Sequence, residues 1–222
     1  MAKLPKNKLV VLPNEDKKIH EKWHEKRNLC NIPHPARVCI LGKPNSGKTL
    51  VIKNLLLRQY PPFEKISLIH CDGANTQEYN DVDVEILEEI PSPDECDETI
   101  KQCVILDDLE YKTMSKEQQR NLDRLFGYCS THKNITVYLT AQDPFNVPPI
   151  VRRCSNLFIL WRSQDMDSLA NLSRKSGLKS HDLKYIFKTF MKDKHDSLWI
   201  DLSGGPMLRK NCYETIEKND ED

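Results

Sequence analysis

The sequence lacks any net charge: 33 lysines and arginines stand against 33 aspartates and glutamates in 222 residues. That balance argues against a static, strongly basic coat for nucleic acid. It leaves room for a protein that grips a polyanionic backbone transiently. No apolar run approaches the roughly 20 residues of a membrane-spanning helix, and no signal-peptide pattern opens the chain. A protein without a membrane span is expected. The eight cysteines form no C-x-x-C pair. Several, such as Cys39 and Cys103, sit inside apolar runs, the usage of a reduced, intracellular protein rather than a disulfide scaffold. There is no internal repeat. The length suits one α/β domain with a well-filled core.

One stretch dominates what is there. Gly42-Lys43-Pro44-Asn45-Ser46-Gly47-Lys48-Thr49 reads G-x-x-x-x-G-K-T, the phosphate-binding P-loop pattern. The apolar, β-branched run Arg37–Leu41 before it predicts a buried strand, and Leu50–Leu57 after it predicts a helix. Strand, glycine loop and helix together give the motif its meaning. With glycine at about 7% of ordinary usage, the four fixed positions coincide by chance in only about one such chain in a hundred. Gly42 and Gly47 are expected to let successive backbone N–H groups face one point, an anion nest that the helix N-terminus reinforces. Lys48 is expected to reach the β- and γ-phosphates, and the Thr49 hydroxyl to help hold Mg2+.

The second anchor is Gln102-Cys103-Val104-Ile105-Leu106-Asp107-Asp108-Leu109. Four apolar residues run into two carboxylates, the shape of a Walker B strand ending at the ligand-binding edge of a parallel sheet. Asp107 is the expected Mg2+ residue, through water. Asp108 is placed to polarise the attacking water. The pattern alone is weak, since strand ends often look like this. Its place 59 residues after Lys48 strengthens it. A further strand, Asn134–Gln142, ends in a polar tip, and Gln142 is expected to sense the γ-phosphate. Arg152 and Arg153, before an apolar strand at Leu157–Trp161, are candidates for an arginine finger.

The remaining elements frame these. Residues 1–31 carry eight Lys/Arg against four Asp/Glu and read as a basic arm with a short helix near Ile19–Arg27. The arm is a candidate contact for a neighbouring subunit or DNA. His20, His24, Cys30 and His34 fit no standard zinc spacing and are expected as exposed residues. Tyr60-Pro61-Pro62 stops the P-loop helix, and Lys65–Cys71 is a second strand. Residues 78–98 hold ten Asp/Glu and no Lys/Arg, expected as a solvated insertion with an edge strand at Val82–Leu87. Ser115–Gln118 reads as a capping box that opens a helix with Leu122, Leu125, Phe126 and Cys129 on its apolar face. Two helices are expected near Met166–Lys175 and Ser180–Met191, with Ser180 as N-cap. Within this stretch Arg174, Lys175, Lys179, Lys184 and Lys188 are the candidate DNA-backbone contacts. Ser197–Leu202 is expected as a last strand, and Tyr213–Asp222 as an acidic, unordered tail.

In this order the pieces resemble the FtsK–HerA superfamily, and within it the genome-packaging ATPases of the poxvirus, virophage and polinton type. The resemblance rests on Pro33-His34-Pro35-Ala36-Arg37 leading into Val38–Thr49, and on Val104–Leu109. It also rests on Ser130-Thr131-His132-Lys133-Asn134-Ile135-Thr136-Val137 running into Gln142, and on Arg152 through Asn156. It covers roughly residues 33–205. Three features depart from it: Asp108 where the wider superfamily often has glutamate, two candidate arginines, and Pro44-Asn45-Ser46 where the group often has a glycine. The resemblance implies a P-loop NTPase, α/β, with a mostly parallel sheet flanked by helices and an extra strand between the P-loop and Walker B strands. It implies an ATP- and Mg2+-dependent motor that forms a homo-oligomeric ring, hexamer or pentamer, and drives double-stranded DNA into a preformed capsid. A viral capsid or portal-vertex protein would be its partner, in the host cell at the site of virus assembly. The chain then divides into a basic arm (1–31), a P-loop ATPase domain (32–205) and a C-terminal strand and acidic tail (206–222). Two rival readings are a nucleoside or nucleotide kinase, which would need an arginine-bearing lid, and a nucleotide-gated scaffold with little turnover, against which Asp107, Asp108 and Gln142 argue.

Overall fold

The computed structural model describes residues 27–70, 76–163, 169–170, 178–204 and 207–217. Among the described residues the strands are β1 (Arg37–Leu41), β2 (Lys65–His70), β3 (Glu85–Ile86), β4 (Gln102–Asp107), β5 (Ile135–Ala141), β6 (Leu157–Trp161), β7 (Ser197–Asp201), β8 (Met207–Lys210) and β9 (Glu214–Thr215). The principal helices are α1 (Lys48–Leu57), α2 (Lys116–Arg124), α3 (Pro149–Cys154) and α4 (Ser180–Thr189). All nine strands form one sheet in the order β3-β2-β4-β5-β1-β6-β7-β8-β9. β3 through β6 in that order are parallel, and β7, β8 and β9 continue antiparallel. β5 lies between the P-loop strand β1 and the Asp107 strand β4, the extra strand the resemblance implies.

The sheet is covered on both faces, which explains why β4, β5, β6 and β7 are buried along their whole length. Alternate residues of one strand serve opposite layers. Val38 and Ile40 pack with Ile52 and Leu55 of α1, whereas Cys39 and Leu41 belong to the layer of α2, α3 and α4. The expected apolar face of α2 is present, with Leu122 buried and Leu125, Phe126 and Cys129 continuing it through a π-helical turn at Leu125–Cys129.

Several sequence expectations need correction. The Ser115 side chain caps α2 by accepting from the Gln118 amide N–H, but the reciprocal half of the box is absent. Gln118 instead accepts from the Ile90 N–H and donates to Glu89, tying the acidic segment down. α4 begins at Ser180, so Lys179 is its N-cap, and the Asp182 carboxylate accepts the Lys179 N–H at 3.0 Å. Ser197–Asp201 is not the last strand: β8 and β9 extend the sheet, and Ile216 is buried in the core rather than lying in an unordered tail. Cys30 and His34 are buried, with His34 Nδ1 2.8 Å from the Thr136 hydroxyl, because the chain entering β1 packs under the sheet. The helix expected near Met166–Lys175 lies outside the described residues apart from Leu169 and Ala170, which are helical. His20, His24 and the expected Ile19–Arg27 helix also lie outside them, Arg27 excepted.

Candidate functional site

The parallel strands all end at one edge, and the turns after β1, β4 and β5 bring the predicted residues together there. The P-loop leaves β1 with the Gly42 N–H donating to the Ala141 carbonyl at the end of β5. Gly42 is required for space: a Cβ there would stand 2.3 Å from the Ser46 hydroxyl oxygen. Gly47, by contrast, is required for its backbone, with φ 106°. Asn45 takes the other left-handed position, φ 60°, which asparagine tolerates better than most side chains. The loop therefore turns sharply without the additional glycine common in the group it resembles. α1 starts directly at Lys48, so its free N–H groups and partial positive charge face the cleft.

That cleft has a volume of about 590 Å³. Pro44 through Leu50 form one wall. Asp107, Asp108 and Gln142 face them from the ends of β4 and β5. Lys48 is buried, and its Nζ donates to the carbonyl oxygens of Gly42 and Lys43 at 3.0 and 3.5 Å and stands 3.8 Å from the Asp108 carboxylate. The two aspartates are held differently. Asp107 is buried, at 4% exposure, and accepts hydrogen bonds from Thr140 (2.6 Å) and Tyr79 (2.9 Å). Asp108 is 24% exposed, in the left-handed region at φ 50°, and accepts from the Gln142 amide at 3.0 Å. The Thr140 hydroxyl also accepts the Asp108 backbone N–H at 2.9 Å and stands 3.3 Å from its carboxylate, so one buried threonine bonds both aspartates. A buried acid and a half-exposed acid side by side can divide the work, one for a cation and one for a water.

The donor set suits Mg2+, which prefers hard oxygens and keeps most of its own waters. Asp107 and Thr49 are the lining residues whose oxygens would be offered to such an ion. Among the described residues no three His, Cys, Asp or Glu side chains cluster as a metal cage, and a phosphate-bound Mg2+ needs none.

Sequence reasoning missed four lining residues: His70, Glu78, Tyr79 and His195. His195 comes from the turn before β7, with Nδ1 3.2 Å from the Ser46 carbonyl oxygen and its own carbonyl accepting Trp161 Nε1–H at 3.1 Å. No local pattern marks it. Glu78 and Tyr79 belong to the acidic segment expected to be solvated. Tyr79 is instead 2% exposed, and burial first and the Asp107 charge second push its phenol pKa up. Arg152 and Arg153 are the predicted residues that this chain does not bring to its own cleft. They occupy the last turn of α3, whose end is tied by the Cys154 carbonyl to Arg37 Nε (2.6 Å), at the opposite edge of the sheet. Of the candidate DNA contacts, Lys179, Lys184 and Lys188 are exposed, whereas Arg174 and Lys175 lie outside the described residues. No helix among the described residues is long and apolar enough to cross a membrane.

No protein-family profile matches the sequence, and no curated protein does. Solved structures do share its fold. The genome packaging NTPase B204 of Sulfolobus turreted icosahedral virus 2, in complex with sulfate, superposes with TM-score 0.56 at 17% identity, over 79% of this chain and 96% of that one. Its complex with ATP-gammaS gives TM-score 0.53 at 13% identity over the same shares. B204, the DNA-packaging ATPase of Sulfolobus turreted icosahedral virus, gives 0.54 at 16% identity, again over 79% of this chain and 96% of that one. At these identities the likeness is one of fold: a mixed α/β P-loop NTPase with a mostly parallel sheet flanked by helices.

Proposed function

We propose that this protein is an ATP-hydrolysing motor that moves double-stranded DNA into a preformed viral capsid. The observation that carries the reading is the pairing of a buried Asp107 with a half-exposed, Gln142-bound Asp108 beside a P-loop lysine. Phosphate binding alone would need the loop. It would not need a second carboxylate held 3.8 Å from Lys48 and open to water. The fold shared with virus-packaging NTPases supports the choice of motor over other P-loop classes, and so does the motif resemblance.

The residues then take these parts. The Gly42–Thr49 loop and Lys48 bind the phosphates of ATP. Thr49 and, through water, Asp107 would hold Mg2+, which would supply positive charge against the phosphates. Asp108 polarises and accepts a proton from the attacking water, and Gln142 orients both. Arg152 or Arg153 acts in trans, since both stand away from their own chain's cleft, on the nucleotide of the next subunit in a homo-oligomeric ring. The exposed face of α4, with Lys184 and Lys188 one turn apart, contacts the DNA backbone. A capsid or portal-vertex protein is the docking partner, at the site of virus assembly in the host cell.

ATPase measurements with and without double-stranded DNA test the reading. Wild type should turn over ATP faster with DNA, and Lys48→Ala should lose both binding and turnover. Turnover that ignores DNA and requires a phosphoryl acceptor would point to a kinase instead. Tight ATP binding with negligible turnover under all conditions would point to a nucleotide-gated scaffold.

A further inference from the structure

Tyr79 belongs to a short 3-10 turn, Gln77–Tyr79, between β2 and the edge strand β3. Its ring is packed in the layer of α1, and its hydroxyl enters the cleft. There the phenol donates to the Asp107 carboxylate at 2.9 Å, and Thr49 lines the same cleft. Asp107 and Thr49 come from separate elements, β4 and α1. They are also the two side chains to which the proposed function assigns Mg2+. The turn is itself fastened to α1: Lys53 Nζ donates to the Glu78 carbonyl at 3.0 Å and pairs with Asp81. The other Asp107 oxygen is bound by Thr140. Asp107 is thus clamped from both sides by hydroxyls. One of these clamps, Tyr79, sits on the turn that Lys53 fastens to the P-loop helix.

We propose that Tyr79 is a positioning residue for the cation: from a turn fastened to α1, it holds the Asp107 carboxylate toward the P-loop helix that carries Thr49. The inference rests on the proposed nucleotide site, and goes beyond it by assigning a role to the acidic segment. A carboxylate that must swing into place before it can meet the water shell of the ion spends binding free energy on ordering. A carboxylate fixed by a buried phenol does not. Partners that hydrogen-bond metal-binding side chains commonly change metal affinity by about 10- to 100-fold when removed.

The test is the dependence of ATPγS binding on Mg2+, read by calorimetry with Mg2+ and with excess EDTA. Tyr79→Phe keeps the ring and removes the donor. It should bind ATPγS in EDTA as wild type does and melt at the wild-type temperature. The affinity gained on adding Mg2+ should shrink by about tenfold, within the range known for such partners. The Mg2+ concentration for half-maximal binding should rise to match. Lys53→Met, which loosens the turn and leaves Tyr79 intact, should shift the same quantity the same way by less. A full Mg2+ gain in both variants would overturn the role of Tyr79, while a wild-type gain abolished by Asp107→Asn would leave the nucleotide site standing. No Mg2+ gain in wild type would overturn both readings together.

Discussion

The two edges of the parallel sheet use similar polar residues for opposite ends. At the carboxyl edge, side chains bond to one another: Thr140 to Asp107, Tyr79 to Asp107, and the exposed Gln142 to Asp108. At the amino edge, buried and half-buried side chains bond to backbone. Gln102 donates to the carbonyls of Asp97 and Lys133, and Asn134 to that of Glu98. Lys101 donates to that of Pro61 and Arg37 to that of Cys154. A side chain that answers a carbonyl stitches a loop to the sheet and has finished its work. Side chains that answer each other around an open cleft are held in place for something further. In these bonds the partner, more than burial or residue type, differs between the edges, with exceptions on each side: Lys48 answers the Gly42 carbonyl in the cleft, and His34 bonds the Thr136 hydroxyl at the amino edge.

Arg152 is where this comparison could break, because it sits toward the amino edge and is assigned an effect at a carboxyl edge. If it serves the neighbouring subunit's nucleotide, Arg152→Ala should bind ATP normally and lose turnover by about 10³-fold, the lower range for such arginines. Mixing it with Lys48→Ala should restore activity in proportion to interfaces that pair a good P-loop with a good arginine. Restoration should grow with protein concentration. The same mixture with Arg153→Ala distinguishes the two residues. Silence in both mixtures, under conditions where wild type assembles, returns both arginines to the structural edge.

Inside the carboxyl edge the effects should be graded by what each group touches. Asp108→Asn keeps shape and loses the base, so turnover should fall by about 10²-fold or more with ATP binding near wild type. Steady-state kinetics that show unchanged turnover would move the base to another residue. Thr140→Val removes the hydroxyl that bonds both aspartates, and should cost about tenfold in turnover through loss of their orientation. At the amino edge the sign pattern reverses. Asn134→Ala removes the donor to Glu98 and places alanine at φ 52°. Denaturant unfolding should show a loss of about 1–3 kcal/mol, the cost of an unmet buried partner, with turnover per folded molecule unchanged. Asn134→Gly, which tolerates that backbone, should lose less.

What could be read from the sequence follows the same division. The P-loop, the Asp107–Asp108 step and Gln142 are each written in a short stretch, because strand, turn and functional tip are contiguous there. Tyr79 and His195 are not, since only the strand order carries them to the cleft from chain positions 31 residues after Lys48 and 53 after Gln142. Ten carboxylates in 78–98 made that segment look solvated, and they masked the one aromatic that turns inward. Beyond the single strand expected within 206–222, the pairing of β8 and β9 is not legible, for a related reason. Met207–Lys210 and Glu214–Thr215 are short and polar, and their pairing is supplied by β7 rather than by their own pattern. Arg152 and Arg153 show the limit most clearly: order along the chain placed them next to the nucleotide strand, and the helix carrying them runs to the far edge.

Lys101 gives the smallest expected effect and the cleanest sign. It is 2% exposed, its ammonium is bound to the Pro61 carbonyl and lies over the Phe63 ring, and burial, opposed by Glu64, lowers its pKa to about 8. In the unfolded chain the same group titrates near 10.5. Below pH 8 both states carry the proton, and the folded state bears the whole cost of burying it. Between about pH 8 and 10.5 the folded state releases the proton while the unfolded state keeps it, so stability rises with pH across that window. Lys101→Met fills similar volume without a charge. The difference in unfolding free energy between wild type and Lys101→Met should therefore shift in favour of wild type as pH climbs from 8 to 10.5, with every other titrating group cancelling in the difference. A difference flat across that window would mean that the Pro61 carbonyl and Phe63 ring already compensate the buried charge. Lys101 would then be an amino-edge side chain whose single carbonyl partner offsets its desolvation in full.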